Sequence, residues 1–447
     1  MERINALSPN SLKDGKEQAM SKEFGKNVRG GPPATIKFDM SRPPMKQQMH
    51  LMPLVWAGSY VMKLLHLGRL QKIGMKGVKP PYLLICNHNA FYDFYILMVA
   101  TFPHRGYYPA AVDDYIGRET VLRQLGTIPK RKFTADIGLL RQCKKLLEQG
   151  SIVGLHAEAR YSLCGQTELI PDAVGRLAKR MNVPVVTLKV CGHHIYDPFW
   201  GDGRKRWVVP VEAVMTRIYT PEQLKTATPD EINAKIRQYL YNDDFRWQSK
   251  RRVRISYCKR AEGLHKVLYQ CPHCRKEYMM GSQGIRIFCK ACCKSWVLNE
   301  YGELKADSGK TEFKFATDWY QWEREQVRKE VRGGNYHFDC AVEVNDLPNS
   351  KGFVRMGRGR LVHDMDGFQL TGTRDYDGEP FSMTLPAAGQ IAVHVEYNYR
   401  FGNHRDCVDL NTLDDTWYAF PEGQAFSVTK ISLATEEIFK YLHEKRR

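Results

Sequence analysis

The chain has 447 residues, which is too long for one core of typical size and predicts two or three domains of ~100–200 residues each. No stretch reaches the ~18–20 uninterrupted apolar residues of a membrane-spanning helix, so the sequence predicts none. The formal net charge of +18 indicates an acidic partner, whether nucleic acid, an anionic lipid surface or a phosphorylated substrate.

The first 46 residues are polar and rich in Lys, Gly, Pro and Ser. They contain no apolar segment before a small-residue cleavage site, so we expect no signal peptide and a disordered tail over residues 1–46. Residues 49–70 are apolar and aromatic, with Lys63 and Arg69 toward their end. This pattern fits an interfacial helix in the lipid headgroup region, and it also fits an ordinary helix packed on the domain.

From residue 82 to about 245, short apolar runs alternate with helical patterns, as in α/β folds. The runs YLLIC, SIVGLH and VPVVTLKV are typical of buried strands, and residues 134–150 have helical periodicity. Thr228 and Glu231 form a predicted capping box, with Pro229 at the first helical position. We therefore predict an α/β domain with a central sheet flanked by helices.

The composition changes twice after this domain. Residues 246–276 are rich in Lys and Arg, which marks a boundary. After about residue 311 the sequence is β-rich, with two strands around an Asp366–Gly367 turn and a closing helix in TEEIFKYLHEKRR. The predicted division is a tail over 1–46, an α/β domain over 47–250, a basic segment with a cysteine module over 251–310, and a β-rich domain with a C-terminal helix over 311–447.

The motif Asn-His-x4-Asp occurs at residues 87–93 and again at residues 403–409. His88 follows a predicted strand, at whose carboxyl end open α/β sheets place their ligands, whereas His404 lies in a β-rich segment. His88 could take a proton from a hydroxyl, and Asp93 could hold its other nitrogen and stabilise the imidazolium. Taken alone, the motif also fits a structural histidine at a strand end.

Three further segments follow the motif. They are LGTIPKRK at residues 125–132, LHAEARYS at 155–162 and VPVVTLKV at 183–190. With residues 87–93 they resemble, in order and rough spacing, the four blocks of the glycerolipid acyltransferase family, the PlsC-like 1-acylglycerol-3-phosphate acyltransferases. The resemblance extends over about residues 50–250 and implies an acyltransferase domain with a central mixed sheet flanked by helices.

The resemblance implies transfer of an acyl group from acyl-CoA or acyl carrier protein to a lysophospholipid hydroxyl, with 1-acylglycerol-3-phosphate as the expected acceptor in phospholipid biosynthesis. His88 would be the general base and Asp93 would orient it. The expected substrate-binding residues are Asn87, Gly126, Lys130, Arg131, Lys132, Glu158 and Arg160. A bilayer-embedded acceptor favours an interfacial helix over 49–70 and a cytoplasmic protein held peripherally at the anionic inner face of the membrane.

The third segment departs from the family pattern. Ala157, Ala159 and Tyr161 replace its usual Pro, Gly and Arg, and Arg160 lies one place before the usual arginine. In the second segment the family places a cation that holds the acceptor's phosphate. Three adjacent cations occur there, and the sequence does not show which of them would hold the phosphate. A solvated basic turn would also account for the three cations. Cys86 is expected to be a small core residue and not a nucleophile.

Twelve cysteines in a chain without a predicted signal peptide favour a reducing compartment. Two CxxC knuckles, with fourteen residues between them, are formed by Cys271, Cys274, Cys289 and Cys292. Four thiolates at this spacing are typical of a closed tetrahedral site, so we predict one structural Zn²⁺. Cys293 could compete with Cys292, although the CxxC spacing favours Cys292, and His273 is not expected to be a ligand.

Two other functions fit part of the sequence. A nucleic-acid-binding zinc-ribbon protein would account for the charge and for residues 246–276, where Trp247, Tyr257 and Tyr269 alternate with cations. It would leave the four acyltransferase-like segments unexplained, so nucleic acid is not the expected partner. The altered third segment fits a catalytically weak lipid-binding relative. We predict acyl transfer.

Overall fold

A computed structural model of the protein describes residues 28–30, 37–48, 50–66, 68–90, 92–201, 203, 206, 209–399 and 405–445. Most of the predicted disordered tail over 1–46 lies outside these residues. Its described end packs on the protein, because Phe38 is buried against Tyr115 and its N–H donates to the carbonyl of Pro348. The expectation of disorder up to residue 46 is therefore wrong for the residues from Phe38 onward.

The first sheet has seven strands, and a strand and a helix precede it in the chain. These are β1 (Val28–Gly30) and α1 (Met52–Leu65). The elements that follow are β2 (Arg69–Ile73), β3 (Tyr82–Cys86), α2 (Asp93–Thr101), β4 (Gly106–Ala111), a 3₁₀ turn (Val112–Tyr115), α3 (Glu119–Gln124), β5 (Thr127–Lys130), α4 (Ile137–Glu148), β6 (Ile152–His156), α5 (Ala173–Met181), β7 (Val185–Cys191), α6 (His193–Tyr196), β8 (Glu212–Tyr219), α7 (Pro221–Thr226), α8 (Pro229–Leu240) and α9 (Asp244–Arg251).

The strand order of this sheet is β2-β8-β7-β3-β6-β4-β5. Strand β3 is parallel to β6 and β7, whereas β7 and β8 are antiparallel, which confirms the predicted mixed sheet. Leu83 and Ile85 of β3 cluster with α4 and α8, while Leu84 and Cys86 cluster with α1 and α2 on the other face. Because both faces are covered, β3 is apolar throughout, and Cys86 is a core residue whose thiol pKa is raised by burial.

The second half of the chain contains two further sheets and two long helices. In chain order its elements are α10 (Leu264–Val267), β9 (Met280–Gln283), β10 (Arg286–Cys289), β11 (Ser295–Leu298), β12 (Leu304–Ala306), α11 (Ala316–Arg332), β13 (Phe338–Asn349), β14 (Gly352–Asp364), β15 (Gly367–Arg374), β16 (Pro380–Pro386), a 3₁₀ turn (Ala387–Gly389), β17 (His394–Glu396), β18 (Cys407–Asn411), β19 (Thr416–Pro421) and α12 (Val428–Glu444).

Strands β9–β12 form a small antiparallel sheet, and β13–β19 form a larger antiparallel sheet in the order β16-β15-β14-β13-β19-β18-β17, with β1 added in parallel beside β14. The predicted hairpin is confirmed. Asp364 pairs with Gly367, whose φ of +117° favours glycine, so the loop residues are Met365 and Asp366. The predicted closing helix is α12.

The β-rich C-terminal region is confirmed, and it begins with a helix, α11, that the sequence did not predict. Trp319, Glu323, Val327 and Val331 recur every four residues along it and are all buried. The carboxyl oxygen of Glu323 accepts the N–H of Gln270 at 2.7 Å, and burial raises the pKa of Glu323 well above its usual range, so an acidic residue completes a face that packs against the rest of the protein.

We name residues 47–250 the N-terminal unit, residues 251–310 the ribbon and residues 311–447 the C-terminal unit. One hydrophobic cluster crosses all three, from Tyr196 and Trp200 through Cys271 to Leu361 and Ile431. The apolar core therefore joins the units, and the division into separate domains stays a prediction.

Candidate active site and candidate metal centre

His88 lies just beyond the carboxyl end of β3, and Asp93 is the first residue of α2. His88 Nδ1 is 3.1 Å from Asp93 Oδ2, and 19% of the His88 side chain is exposed. An ionised carboxylate only accepts hydrogen bonds, so Nδ1 carries the hydrogen in this pair. His88 Nε2 is thus the nitrogen that can meet a substrate.

The buried charge of Asp93 is met by donors on both oxygens. Oδ2 accepts from His88 and from the N–H groups of Asn89 at 2.7 Å and Ala90 at 3.2 Å, and Oδ1 accepts from His193 Nδ1 at 2.5 Å. Burial alone would raise the pKa of Asp93, but the hydrogen bonds from His193 and His88 hold that pKa well below its usual range. Asp93 therefore stays ionised and can stabilise an imidazolium at His88.

Two aromatic rings pack against the ring of His88. His156 stacks on it with ring centroids 3.7 Å apart, and its Nδ1 donates to the carbonyl of Asn87 at 3.0 Å. The Tyr161 ring centroid lies 4.3 Å from that of His88. Burial, and after it the charge of His88, lowers the pKa of His156 to about 3. His156 is therefore neutral at pH 7 and supports the plane of His88.

Asn87 and Glu158 are predicted substrate-binding residues, but their polar atoms are engaged within the protein. Asn87 Nδ2 donates to the carbonyl of Val190 at 2.8 Å, and its Oδ1 accepts the Val190 N–H at 2.9 Å. Glu158 accepts the N–H groups of His88 at 3.3 Å and Glu168 at 2.8 Å, and burial raises its pKa to about 8. Both residues are about 1% exposed, so their hydrogen bonds join the end of β3 to its neighbours, and a substrate contact at either stays a prediction.

Two other predicted substrate-binding residues also face protein groups. Gly126 has a φ of +79°, and a Cβ there would lie 2.6 Å from Gln47 Cγ, so glycine fits the turn before β5. Lys130 lies beside Asp136 and Cys143 at α4, and burial lowers the pKa of its ammonium. Neither arrangement brings these residues to His88.

Lys132 is held by three carboxylates. Its Nζ lies 2.9 Å from Asp113, 3.1 Å from Asp409 and 3.6 Å from Glu396, the last two belonging to the C-terminal unit. Burial would lower its pKa, but Asp113 and Asp409 hold that pKa well above its usual range. Burial raises the pKa of Tyr161 well above its usual range, and the nearby charge of Lys132 offsets this rise in part, so Lys132 lies within electrostatic range of a ring that contacts His88.

Arg131 and Arg160 also bind the C-terminal unit. Arg131 donates to the hydroxyl of Thr416 at 2.6 Å and to the carbonyl of Asp414 at 2.7 Å. Arg160 pairs with Glu436 at 2.5 Å, and its side chain is 1% exposed. These contacts place both arginines in the interface between the units, not at the predicted phosphate contact.

The second Asn-His-x4-Asp match, at residues 403–409, lies only in part within the described residues. Asn403 and His404 lie outside them. Asp409 is buried, which raises its pKa to about 6, and it pairs with Lys132. The carboxylate of this match therefore serves the contact between the units.

His193 is the site residue that the sequence analysis missed. It follows β7, the strand of the fourth acyltransferase-like segment, and β7 is parallel to β3. The carboxyl ends of parallel strands meet at one edge of a sheet, so the residues Gly192-His193-His194 directly after this strand were a usable signal.

The thiols of the ribbon fit a structural zinc ion. Cys271 and Cys292 have their Sγ atoms 3.7 Å apart, as do Cys274 and Cys289, and all four lie within 4.8 Å of one another. A tetrahedron with Zn–S bonds of ~2.3 Å has S···S edges of ~3.8 Å. The four predicted cysteines thus form a group that could hold a metal. Because all four positions would be filled by protein, such a metal would have no position open for a substrate.

Cys293 and His273 lie outside this group. The residue after the second cysteine of each knuckle is left-handed, with φ of +68° at Arg275 and +60° at Cys293. Cys293 occupies the place of Arg275 in the other knuckle, and it is exposed. The mostly exposed ring of His273 lies 3.6 Å from Glu312. The geometry therefore favours Cys292 over Cys293.

Two further groups could geometrically hold a metal, namely His88 with Asp93 and His156, and His394 with Glu396 and Asp409. In the first group the carboxylate already has donors on both oxygens. In the second, the ammonium of Lys132 already lies beside both carboxylates. The ribbon is therefore the best candidate metal centre in the described part of the chain.

The basic segment 246–276 makes many ion pairs inside the protein. These pairs are Arg246–Asp318, Arg251–Glu212, Arg254–Glu300, Lys259–Glu262 and Lys266–Asp406. Trp247 donates to Glu212 at 3.1 Å, and Tyr269 is buried in the shared core. The segment thus connects the units, and much of its charge is neutralised internally.

Helix α1 presents a broad apolar surface to solvent. Leu54 and Leu64 are 76% and 73% exposed, and Val61 and Leu65 are each 54% exposed. Among the described residues, no helix combines the length and apolar content needed to cross a bilayer.

Comparisons with known proteins relate part of the chain to acyltransferases. Residues 68–190 match the family model described as Acyltransferase. Among solved structures, the chain is similar to the 1-acyl-sn-glycerophosphate (LPA) acyltransferase PlsC from Thermotoga maritima, at 15% identity and a TM-score of 0.34, over 43% of this chain and 77% of that chain. No curated protein matches the chain.

One zinc ion per chain is expected in the purified protein. Cys271→Ser should lose it and unfold the ribbon locally, because three thiolates leave a tetrahedral site open. Cys293→Ser is the matched control and should retain the metal. Elemental analysis of both variants measures this, and equal zinc contents would rule out the four-thiolate site.

Proposed function

Because residues 68–190 form an acyltransferase domain, we propose that the protein moves an acyl group from an acyl thioester to the hydroxyl of a glycerolipid. The observation that carries the proposal is the His88–Asp93 pair, which lies inside the matched segment at the carboxyl edge of the parallel strands. The donor would be acyl-CoA or acyl carrier protein, whose thioester is activated for attack by an alkoxide.

In the proposed reaction His88 Nε2 takes the proton of the acceptor hydroxyl as the oxygen attacks the thioester carbonyl carbon. The tetrahedral intermediate then collapses, the C–S bond breaks, and the leaving thiolate takes the proton from the imidazolium. Asp93 keeps its hydrogen bond to Nδ1 throughout and stabilises the positive ring. Cys86 takes no part, because burial raises its pKa and keeps it a thiol.

For the acceptor we propose 1-acylglycerol-3-phosphate, as an enzyme of phospholipid biosynthesis would use. We assign its phosphate to Lys132, which lies within electrostatic range of Tyr161, the ring that contacts His88. The phosphate would have to compete with Asp409 and Glu396 for that ammonium. Because Asp409 and Glu396 already neutralise Lys132, a second candidate is an acceptor without a phosphate.

We further propose that α1 holds the enzyme peripherally on an anionic, cytoplasmic membrane face. Leu54, Val61, Leu64 and Leu65 would enter the headgroup region, and Lys63 in the last turn would meet anionic lipid. The C-terminal end of α1 lies beside α2, the helix that begins at Asp93, because His66 hydrogen-bonds Tyr95 of α2 at 2.6 Å. Membrane contact would then bring the acceptor hydroxyl to His88.

Substitution of the base tests the reaction directly. His88→Ala should lower the rate of acyl transfer from oleoyl-CoA to 1-oleoylglycerol-3-phosphate by about 100- to 10,000-fold, which is the usual contribution of a general base to the rate. His404→Ala, in the second motif, is the matched control and should keep the wild-type rate. Product is measured by mass spectrometry, and a His88 variant with normal turnover would make the base assignment wrong. Wild-type protein that binds lipid but transfers nothing would be a lipid-binding relative.

The acceptor is tested by comparing 1-oleoylglycerol-3-phosphate with 1-oleoylglycerol. Lys132→Gln should lower the ratio of kcat/KM for the phosphorylated over the phosphate-free acceptor about tenfold, because one charge-assisted contact is lost. Lys130→Gln removes a neighbouring charge that faces α4 and should leave this ratio unchanged. A ratio that Lys132→Gln does not alter would favour the acceptor without a phosphate.

Membrane contact is tested on α1. Leu54→Glu with Leu64→Glu should weaken sedimentation with anionic vesicles and slow transfer to bilayer-embedded acceptor more than to a short-chain soluble one. Ile137→Glu with Leu140→Glu is the matched control, since these exposed residues lie on α4, which covers the opposite face of the sheet. Unchanged binding of the α1 variant would place the membrane contact elsewhere.

A further inference from the structure

The carboxylate of Asp93 serves two histidines, and the proposed reaction uses only His88. His193 is fully buried, and its Nδ1 lies 2.5 Å from Asp93 Oδ1. Since the ionised carboxylate can only accept, the hydrogen of this bond lies on His193 Nδ1. The two imidazoles therefore hold opposite oxygens of one carboxylate.

A second layer of buried groups fixes the ring of His193. The hydroxyl of Tyr95, in α2, lies 3.0 Å from His193 Nε2 and 2.6 Å from Nδ1 of His66. Burial, followed by the charge of His193, lowers the pKa of His66 to about 4, so His66 is neutral at pH 7. A continuous hydrogen-bonded line thus runs from His88 through Asp93, His193 and Tyr95 to His66 at the end of α1.

We propose that His193 is a positioning residue for acyl transfer: its Nδ1–H fixes the Asp93 carboxylate so that Oδ2 holds His88 with Nε2 directed at the acceptor hydroxyl. Tyr95 and His66 act one step further out by holding the ring of His193. The proposal rests on the acyltransferase function proposed above, because it assigns His193 a part in that same reaction.

The physical need for such a residue follows from the hydrogen bonds of Asp93. Oδ2 accepts from His88 and from two backbone N–H groups, whereas Oδ1 accepts from His193. Without this donor, a buried charged oxygen would lose its hydrogen bond, and such atoms are costly to leave unsatisfied. The carboxylate would then rotate or take up a proton, and either change releases His88 from its catalytic orientation.

The test compares His193→Leu with His194→Leu in full-length protein, using oleoyl-CoA and 1-oleoylglycerol-3-phosphate. His193→Leu should lower kcat about 10- to 100-fold, as loss of an outer hydrogen-bond partner of a site residue does, with KM changed less than about twofold. His194 is an equally buried neighbour whose ring contacts Trp200 and Phe245, so His194→Leu should change kcat less than about threefold.

A double substitution separates action through Asp93 from a general packing effect. If His193 acts through the carboxylate, His193→Leu added to Asp93→Asn should lower kcat less than about threefold beyond Asp93→Asn alone. Losses that multiply fully in the double variant would overturn the proposal.

If His193→Leu does not fold, polar variants carry the test. His193→Asn keeps an N–H near the Nδ1 position and should retain a higher kcat than His193→Gln, whose N–H reaches the Nε2 position. Equal kcat values for the two variants would overturn the proposal.

A normal kcat in a folded His193→Leu, with His88→Ala inactive, would overturn the proposal for His193 and leave the proposed function standing. No transfer by the wild-type protein would instead defeat the proposed function.

Discussion

The buried charge of Asp93 is the constraint on which the geometry of the candidate active site depends. A buried carboxylate is tolerated only when donors satisfy both of its oxygens, and here they come from the loop after β3 and from His193, the first residue of α6. The amide of Asn87 clamps Val190 beside this loop, so the ends of the two strands are fixed in register with the start of α2. The position of the His88 ring follows from that arrangement.

A second set of buried charges connects the C-terminal unit to the same edge. Arg160 and Arg324 share the carboxylates of Glu168 and Glu436, all of them nearly inaccessible to water. Burying an ion costs several kcal/mol, which its partner offsets only when the geometry is good. Such a cluster therefore selects one docking orientation of the two units more than it adds net stability.

The parts of the site that the sequence predicted depend on residues close together in the chain. His88 and Asp93 are five residues apart, the cysteines lie in CxxC knuckles, and the capping box at Thr228 forms as expected. The parts that it missed depend on tertiary contacts: Asp93 meets His193 across 100 residues, and Lys132 meets Asp409 across 277. Helix α11 escaped prediction for the same reason, since the acidic Glu323 on its buried face is satisfied by the N–H of Gln270, 53 residues away.

The contacts of Arg131, Lys132 and Arg160 with the C-terminal unit mean that the N-terminal unit does not complete its own interior. The segment that matches the acyltransferase family contains all three cations, while Asp414, Glu436 and other partners lie more than 200 residues further on. Excising the N-terminal unit would remove the C-terminal partners of these cations, leaving Lys132 only Asp113 and Arg160 only Glu168, and would uncover the apolar core that the units share. Each half therefore supplies part of the other's core and charge partners, so a substitution on one side of this interface limits which side chains the other side can accept.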